Sequence, residues 1–236
     1  MAIKTWSFSR LTDFEKCKFL AKLKYLDKIP EPERKLRPGQ TEHANDRGTR
    51  IHEAAELFVT DPDIALIPEL SKFSDRLKEL RALYQEGKVL IEQEWAIDSD
   101  WCPTAWNSNT AWNRAKLDVF VHISETEGRA IDYKTGKKYG NEVKHMEQLQ
   151  LYQLLSFMRF PDLEKITVEL WYIDQGPEFN TTMTFTREQG LRFFESFNNR
   201  GIAMTTCENF PPNPNIYSCK WCMYGPKGSG HCPVGV

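Results

Sequence analysis

The segment Ala130-Ile131-Asp132-Tyr133-Lys134-Thr135-Gly136 reads as a short apolar strand that breaks at a glycine after delivering a carboxylate and an amine two residues apart. Strand side chains alternate, so Asp132 and Lys134 share one face while Ile131 and Tyr133 take the other. An acid beside a cation at a strand end suits a metal site acting on phosphate. The carboxylate holds a divalent ion, and the lysine orients water or stabilises developing charge. Surface strands also carry such pairs as plain solvated charges, so the reading rests on what else converges here.

Upstream, Lys116 to Ile123 alternates, with Leu117, Val119, Val121 and Ile123 expected on one face and Lys116, Asp118 and Phe120 on the other. A hairpin turning near Glu125 places Asp118 opposite Asp132, and opposed residues share a face. Two like charges so placed are destabilising unless neutralised, which a divalent cation does. A one-residue slip in register would send the acids to opposite faces.

Around this pair the chain reads as mixed α/β. A helix capped by Ser7 or Ser9 is expected to run to about Ile29, with Cys17 inside its apolar set. The loop Pro30 to Thr41, which includes Pro38 and Gly39, ends it. A helix from about Asn45 carries Arg47-Gly48-Thr49-Arg50-Ile51-His52-Glu53, and another spans Pro68 to Gln85. Val89 to Ile97 reads as a strand with Glu92 and Glu94 on one face. Asp98 to Arg114 is a connection rich in tryptophan, with Trp101, Trp106 and Trp112. Such aromatics either stack on unpaired bases or pack the loop onto its own domain. A helix from Glu142 to Phe160 puts Gln148 and Tyr152 on one side. Strands at Lys165 to Ile173 and Phe179 to Phe185 follow, and Thr186 to Gln189 has the spacing of a capping box that opens a last helix to about Thr205.

With 236 residues, 27% charged and 40% hydrophobic, the chain can bury a sizeable core. No apolar run approaches the roughly 20 residues of a membrane span. Met1 to Trp6 does not open as a signal peptide, so a cytoplasmic location is expected. A formal net charge of -2 supplies no global field for nucleic acid. Binding must therefore come from patches such as Arg10, Lys16, Lys18, Lys22, Lys24 and Lys28, or Lys137, Lys138 and Lys144.

Six cysteines are present: Cys17, Cys102, Cys207, Cys219, Cys222 and Cys232. Cys219 and Cys222 lie on one tight turn, and Cys232 follows in a segment rich in Gly and Pro. Such a segment has little core to fold around, and metal ligation can provide the missing stabilisation. A fourth ligand is supplied either by neighbouring His231 or by distant Cys17, while Cys102 and Cys207 read as small packing residues. Thiolates of this spacing hold zinc or an iron-sulfur cluster.

Taken in order, the set resembles the PD-(D/E)xK nuclease superfamily in its RecB-like branch, and more narrowly the CRISPR-associated and AddB-type iron-sulfur nucleases. The residues that carry the resemblance are Asp13-Phe14-Glu15-Lys16-Cys17, the histidine after Arg47-Gly48-Thr49, Asp118, Asp132-Tyr133-Lys134, Gln148-x-x-x-Tyr152 and the three terminal cysteines. Ala115 stands where the family often has glycine, and the Cys222 to Cys232 gap is somewhat longer than usual. The resemblance implies a restriction-endonuclease-like mixed sheet flanked by helices in a single nuclease domain. That domain has a mainly helical part over 1–87, a core over 88–205 and a cysteine tail over 206–236 that pairs with Cys17. It implies that His52, Asp118, Asp132 and the Tyr133 carbonyl hold Mg2+ or Mn2+. Lys134 acts catalytically, and Gln148 with Tyr152 touches the substrate or supports the site. Cys17, Cys219, Cys222 and Cys232 hold a 4Fe-4S cluster, with Zn2+ as the alternative. The implied activity is metal-dependent DNA hydrolysis, as an exonuclease, in recombination, repair or processing. The setting includes a phage-encoded enzyme in a host cytoplasm. A helicase or recombination partner would supply unwinding. A non-catalytic nucleic-acid-binding scaffold is the rival reading.

Overall fold

The computed structural model describes residues 2–33, 36, 39–136 and 138–236. Pro38 of the early loop and Lys137 of the second basic patch lie outside the described residues. Six strands form one sheet in the order β2-β1-β3-β4-β5-β6. They are β1 (Val89–Ile97), β2 (Pro103–Thr104), β3 (Asn113–His122), β4 (Glu127–Lys134), β5 (Lys165–Tyr172) and β6 (Thr181–Thr186). Every pairing is antiparallel except β4 with β5. That parallel pair needs a crossover, which helix α5 (Glu142–Arg159) supplies. The other helices are α1 (Phe8–Lys16), α2 (Lys18–Ala21), α3 (Ala44–Thr60), α4 (Ser74–Gln85), α6 (Arg187–Leu191), α7 (Phe194–Thr205) and α8 (Ile216–Cys219).

Helices cover both faces of the sheet. On one face Leu11 and Phe14 of α1, Leu151 and Leu154 of α5 and Phe197 of α7 pack with Leu117, Phe120 and Leu170. On the other, Ile51, Ala55 and Phe58 of α3 and Leu77 and Leu80 of α4 pack with Val119, Val121, Ile131 and Tyr133. Because both faces are covered, β5 is buried along nearly its whole length, from Val168 to Tyr172 without a break, although its sequence alternates Lys165, Thr167 and Glu169 with apolar residues. Among the described residues no helix is long and apolar enough to cross a membrane.

Two expectations drawn from local pattern are corrected. Ser7 does cap α1, but the helix ends at Cys17, which takes extended backbone angles (φ -162°, ψ 114°) before α2 resumes. A π-helical turn, Lys22–Leu26, follows α2. The break is compensated from the far end of the chain, where the Asn213 side-chain amide donates to the freed Lys16 carbonyl and the Asn213 backbone N–H to Cys17 Sγ. The last helix is also divided. The capping box at Thr186 is present, but it opens only the short α6 before α7 begins.

The third correction is to strand alternation. Pairs Ile91↔Val119 and Gln93↔Leu117 flank an interruption of the β1/β3 ladder at Glu92 and Asp118, where Glu92 adopts φ +46°. Before that step Val89, Val119 and Val121 face α3 and α4; beyond it Trp95, Ile97, Ala115 and Leu117 belong to the opposite core. Both strands therefore exchange faces together, and Leu117 does not share a face with Val119. The β3/β4 register runs through Val119↔Ile131, but at the next step the shared face expected of Asp118 and Asp132 is not kept: with β3 exchanging faces there, Asp118 turns toward His52 of α3 and Asp132 toward Tyr152 of α5.

Helix α7 is held close to the strands at Gly201. A Cβ there would lie 2.6 Å from the Trp112 ring and 2.7 Å from Trp6 Nε1. These indoles pack edge to face, 5.4 Å apart, and Trp6 is completely buried. For Gly201→Ala, overpacking outweighs the helix-propensity gain, with a net loss on the order of 1–2 kcal/mol. A lower urea midpoint is expected; an unchanged midpoint would mean that the indoles can move aside.

Candidate active site

Asp132 and Lys134 leave β4 on the α5 side and meet a hydrogen-bonded network. Lys134 Nζ lies 2.5 Å from Asp132 Oδ2 and donates to Gln148 Oε1 at 2.9 Å. Gln148 Nε2 donates to the Tyr152 hydroxyl at 2.7 Å and approaches Asp132 Oδ1 at 3.4 Å. The Tyr152 hydroxyl lies 3.1 Å from Asp132 Oδ1 and 3.0 Å from the Lys116 carbonyl, so its single proton is shared between two acceptors. Spacing of four on α5 is what lets Gln148 and Tyr152 act on the same carboxylate.

Asp118 faces the other way, toward α3. Its Oδ2 accepts the Tyr133 backbone N–H at 2.6 Å, and its Oδ1 lies 3.2 Å from His52 Nδ1. The Arg47-Gly48-Thr49 segment sets this approach. Arg47 grips Asp174 with two nitrogens, at 3.0 and 2.7 Å, and a Cβ on Gly48 would stand 3.3 Å from Thr135 Oγ1. Helix α3 is thereby held over the ends of β4 and β5, with His52 just over one turn beyond Arg47. The Tyr133 ring meets His52 edge to face, at 5.6 Å between ring centres.

The ladder interruption brings in a residue that alternation alone did not single out. Donor atoms of His52, Glu92 and Asp118 all lie within 4.8 Å of one another. Asp132 lines the same open cavity, of about 560 Å³, together with Glu53, Glu56 and Lys116. Glu94, expected on the same strand face as Glu92, instead forms an exposed ion pair with Lys116 at 3.2 Å. Nothing in Ile91-Glu92-Gln93-Glu94 marks Glu92 for a left-handed backbone, so the sequence carried no signal for it.

The charges here are crowded. Burial raises the Asp132 pKa, Lys134 opposes that rise, and Asp118 adds to it. Glu92 is likewise raised, first by burial and then by Asp118. Burial would lower the His52 pKa, but the bond to Asp118 and the charges of Asp118, Asp132 and Glu92 outweigh it and raise it. The Tyr152 phenol is pushed well above its usual value by burial and by Asp132, and it stays a donor. Glu92, Asp118 and Asp132 thus crowd together beside His52 and Lys134. Such a donor set of nitrogen and carboxylate oxygens fits a divalent cation.

A second cleft, of about 540 Å³, adjoins this cavity and shares Lys116 and Tyr152 with it. Arg10, Arg114, Lys134 and Lys144 line it with Trp106. The other members of the first basic patch differ in role. Lys22 pairs with Asp27, Lys24 with Asp13 and Glu31, and Lys18 lies over the Phe14 ring. Lys138 reaches the Phe179 carbonyl.

At the opposite end of α1, Cys17, Cys219, Cys222 and Cys232 line one small pocket whose walls include Leu20, Leu23 and Tyr224. Backbone N–H groups of Asn213 and Asn215 donate to Cys17 Sγ and Cys219 Sγ, both at 3.4 Å. Buried Tyr224 ties the tail to the Ile29 carbonyl at 2.7 Å. His231 is exposed and bonds Ser229 instead of lining the pocket. Cys207 is half-buried against the core, whereas Cys102 is exposed, so the packing role expected for Cys102 is not found.

The sequence model of the PD-(D/E)XK nuclease superfamily matches residues 5–226. Comparison with curated proteins returns no match. Among solved structures, the chain is similar to one titled SSO0001, with 14% identity, 99% of this chain and 87% of that chain covered, and a TM-score of 0.44. It is also similar to a phage related exonuclease from Haemophilus somnus 129PT, with 14% identity, 80% and 90% covered, and a TM-score of 0.29.

The left-handed backbone at Glu92 costs about 1–2 kcal/mol in a non-glycine residue, and its carboxylate crowds Asp118. Glu92→Gly should therefore keep or slightly raise the melting temperature while weakening Mn2+ binding about tenfold or more. Calorimetric titration beside a thermal melt checks both; a destabilised protein with unchanged Mn2+ affinity would refute the assignment.

Proposed function

From the premise that this chain belongs to the PD-(D/E)XK nuclease superfamily, we propose that it is a Mg2+- or Mn2+-dependent DNA nuclease, acting as an exonuclease. The observation that carries this reading is the convergence of His52, Glu92 and Asp118 donor atoms beside the Asp132 and Lys134 pair. His52, Asp118, Asp132 and the Tyr133 carbonyl would hold the cation, with Glu92 added to them. A divalent ion so bound supplies Lewis acidity toward a phosphate oxygen and acidifies water.

The chain's own residues account for the rest. An ammonium has three donors; in Lys134, Asp132 and Gln148 engage two of them. The third is available to orient the attacking water or to offset charge on the pentavalent phosphorus. Hydrolysis forms the bond from water oxygen to phosphorus, breaks the bond to the leaving sugar oxygen, and returns a proton to that oxygen. Gln148 and Tyr152 position Asp132 and Lys134 relative to each other. Arg10, Arg114, Lys116 and Lys144 hold phosphates in the adjoining cleft, giving affinity without sequence reading.

We infer that the cysteine pocket holds a structural 4Fe-4S cluster at Cys17, Cys219, Cys222 and Cys232, as the resemblance to AddB-type nucleases of the RecB-like branch implies. The four cysteines line one pocket, a donor set that zinc or an iron-sulfur cluster can take. Backbone N–H groups donate to two of the sulfurs, as suits a cluster. On this reading 1–236 is one nuclease domain, with a helical part over 1–87, a core over 88–205 and a cluster tail over 206–236. It would act in DNA recombination, repair or processing, in a phage or CRISPR-type setting and with a helicase partner for unwinding.

Incubation of linear and circular DNA with Mn2+ should give cleavage that starts at ends. Lys134→Ala and Asp132→Ala should each lower its rate about 100- to 1000-fold. Cleavage that survives both substitutions would sink the site. A wild-type protein that binds DNA yet cleaves none would favour the scaffold reading. Anaerobically purified protein should carry iron and acid-labile sulfide, both lost in Cys17→Ala; zinc in their place would overturn the cluster.

A further inference from the structure

We propose that Trp106, backed by Arg114, is a stacking platform for an unpaired base of the DNA strand entering the active site. The inference rests on the nuclease reading and names the form of substrate that the site takes.

The three tryptophans of the connection between β1 and β3 have separate fates. Trp101 and Trp112 are buried and pack edge to face with each other and with Trp6. Their indole N–H groups are spent on Asn198 and Thr205. They hold the loop to its own domain. Trp106 instead is only half-buried and lines the basic cleft. The Arg114 guanidinium lies 5.3 Å from its ring centre. A cation against an indole strengthens it as a platform for a further aromatic face.

The surroundings suit a polyanion. Among the described residues, Arg10, Arg114 and Lys144 line this cleft without a carboxylate partner, although many other cations of the chain are paired. At about 540 Å³ the cleft is within the ~300–1,000 Å³ typical of small-ligand sites. It continues into the acidic cavity through Lys116 and Tyr152. A strand whose phosphate reaches Lys134 would therefore run past Trp106. Bases inside a duplex are already stacked on their neighbours, so the indole can accept only a base from a single strand or a frayed end.

The test uses the full chain without added divalent cation, so that no turnover occurs. Its probes are a single-stranded oligodeoxynucleotide containing one 2-aminopurine, its ribose counterpart and a closed circular duplex. Wild-type protein should quench the 2-aminopurine. Trp106→Ala should abolish the quenching and weaken single-strand binding on the order of 10- to 100-fold, while closed-duplex affinity stays within about twofold and the melting curve matches wild type. Trp106→Phe should recover most of the affinity. If Trp106→Ala does not fold, Trp106→Leu, which keeps bulk but has no aromatic face, replaces it, with the same loss expected for the single strand. Retained quenching, or an equal loss for the closed duplex, would overturn the proposal. Quenching confined to the ribose strand would overturn the assignment to DNA. If the wild type quenches but cleaves nothing with Mn2+, the nuclease reading falls and the stacking site stands.

Discussion

The crowding of Glu92, Asp118 and Asp132 in a poorly solvated fork of the sheet is the constraint on which the rest of the site depends. Like charges so close together raise one another's pKa and strain the fold unless something offsets them. The protein supplies a partial answer. Lys134 pairs with Asp132, and His52 shares a hydrogen bond with Asp118. One lysine charge and one imidazole hydrogen bond do not balance three carboxylates at such proximity, and the excess is what a divalent cation would neutralise. The arrangement is conditional on fold geometry: β1 and β3 exchange faces together at Glu92 and Asp118, so side chains that regular strands would send to one core meet at the edge of both.

The surrounding structure keeps these groups from relaxing apart. Asp132 is held from α5 by Tyr152, with Gln148 bridging to Lys134, and the Tyr152 phenol remains protonated because burial, and after it the charge of Asp132, disfavours the phenolate. His52 is held from α3, whose first turn is clamped to the end of β5 by Arg47 and Asp174. The two helices lie on opposite faces of the sheet, so the site sits at a junction of both hydrophobic cores. Far from it, the tail folds back onto α1 and α2 through four cysteines and Tyr224. A segment with so few buried apolar groups of its own needs such an anchor.

Much of this was legible in the residues. Val89–Ile97 and a helix beginning at Glu142 were marked by apolar periodicity, and the strand bearing Asp132 by a compact apolar run. The short turn after Ile123 restricts the hairpin register to Val119↔Ile131, which brings Asp118 and Asp132 to one end of the hairpin but not, as expected, onto one face. The exceptions have local causes. Cys17 lies within a helical pattern yet leaves the helix, because hydrogen bonds from Asn213, nearly two hundred residues away, replace those it gives up. Leu117 obeys strict alternation in sequence but not in space, since one left-handed residue on the neighbouring strand reverses the facing of both. Trp106 looked no different from Trp101 and Trp112.

By itself the sequence determined the class of fold, the order of its elements and a set of acids, a lysine, a histidine and cysteines able to do metal chemistry. These follow from side-chain periodicity and spacing within single elements, which are local properties. Only the tertiary structure decided that Glu92 and not Glu94 joins His52 and Asp118, that Cys17 and not His231 meets the terminal cysteines, and that one tryptophan of three faces a basic cleft. Each of these depends on a contact between distant segments. Backbone conformation at the crossing and competition for buried space choose the partner there, and neither is encoded in the pattern of any one stretch.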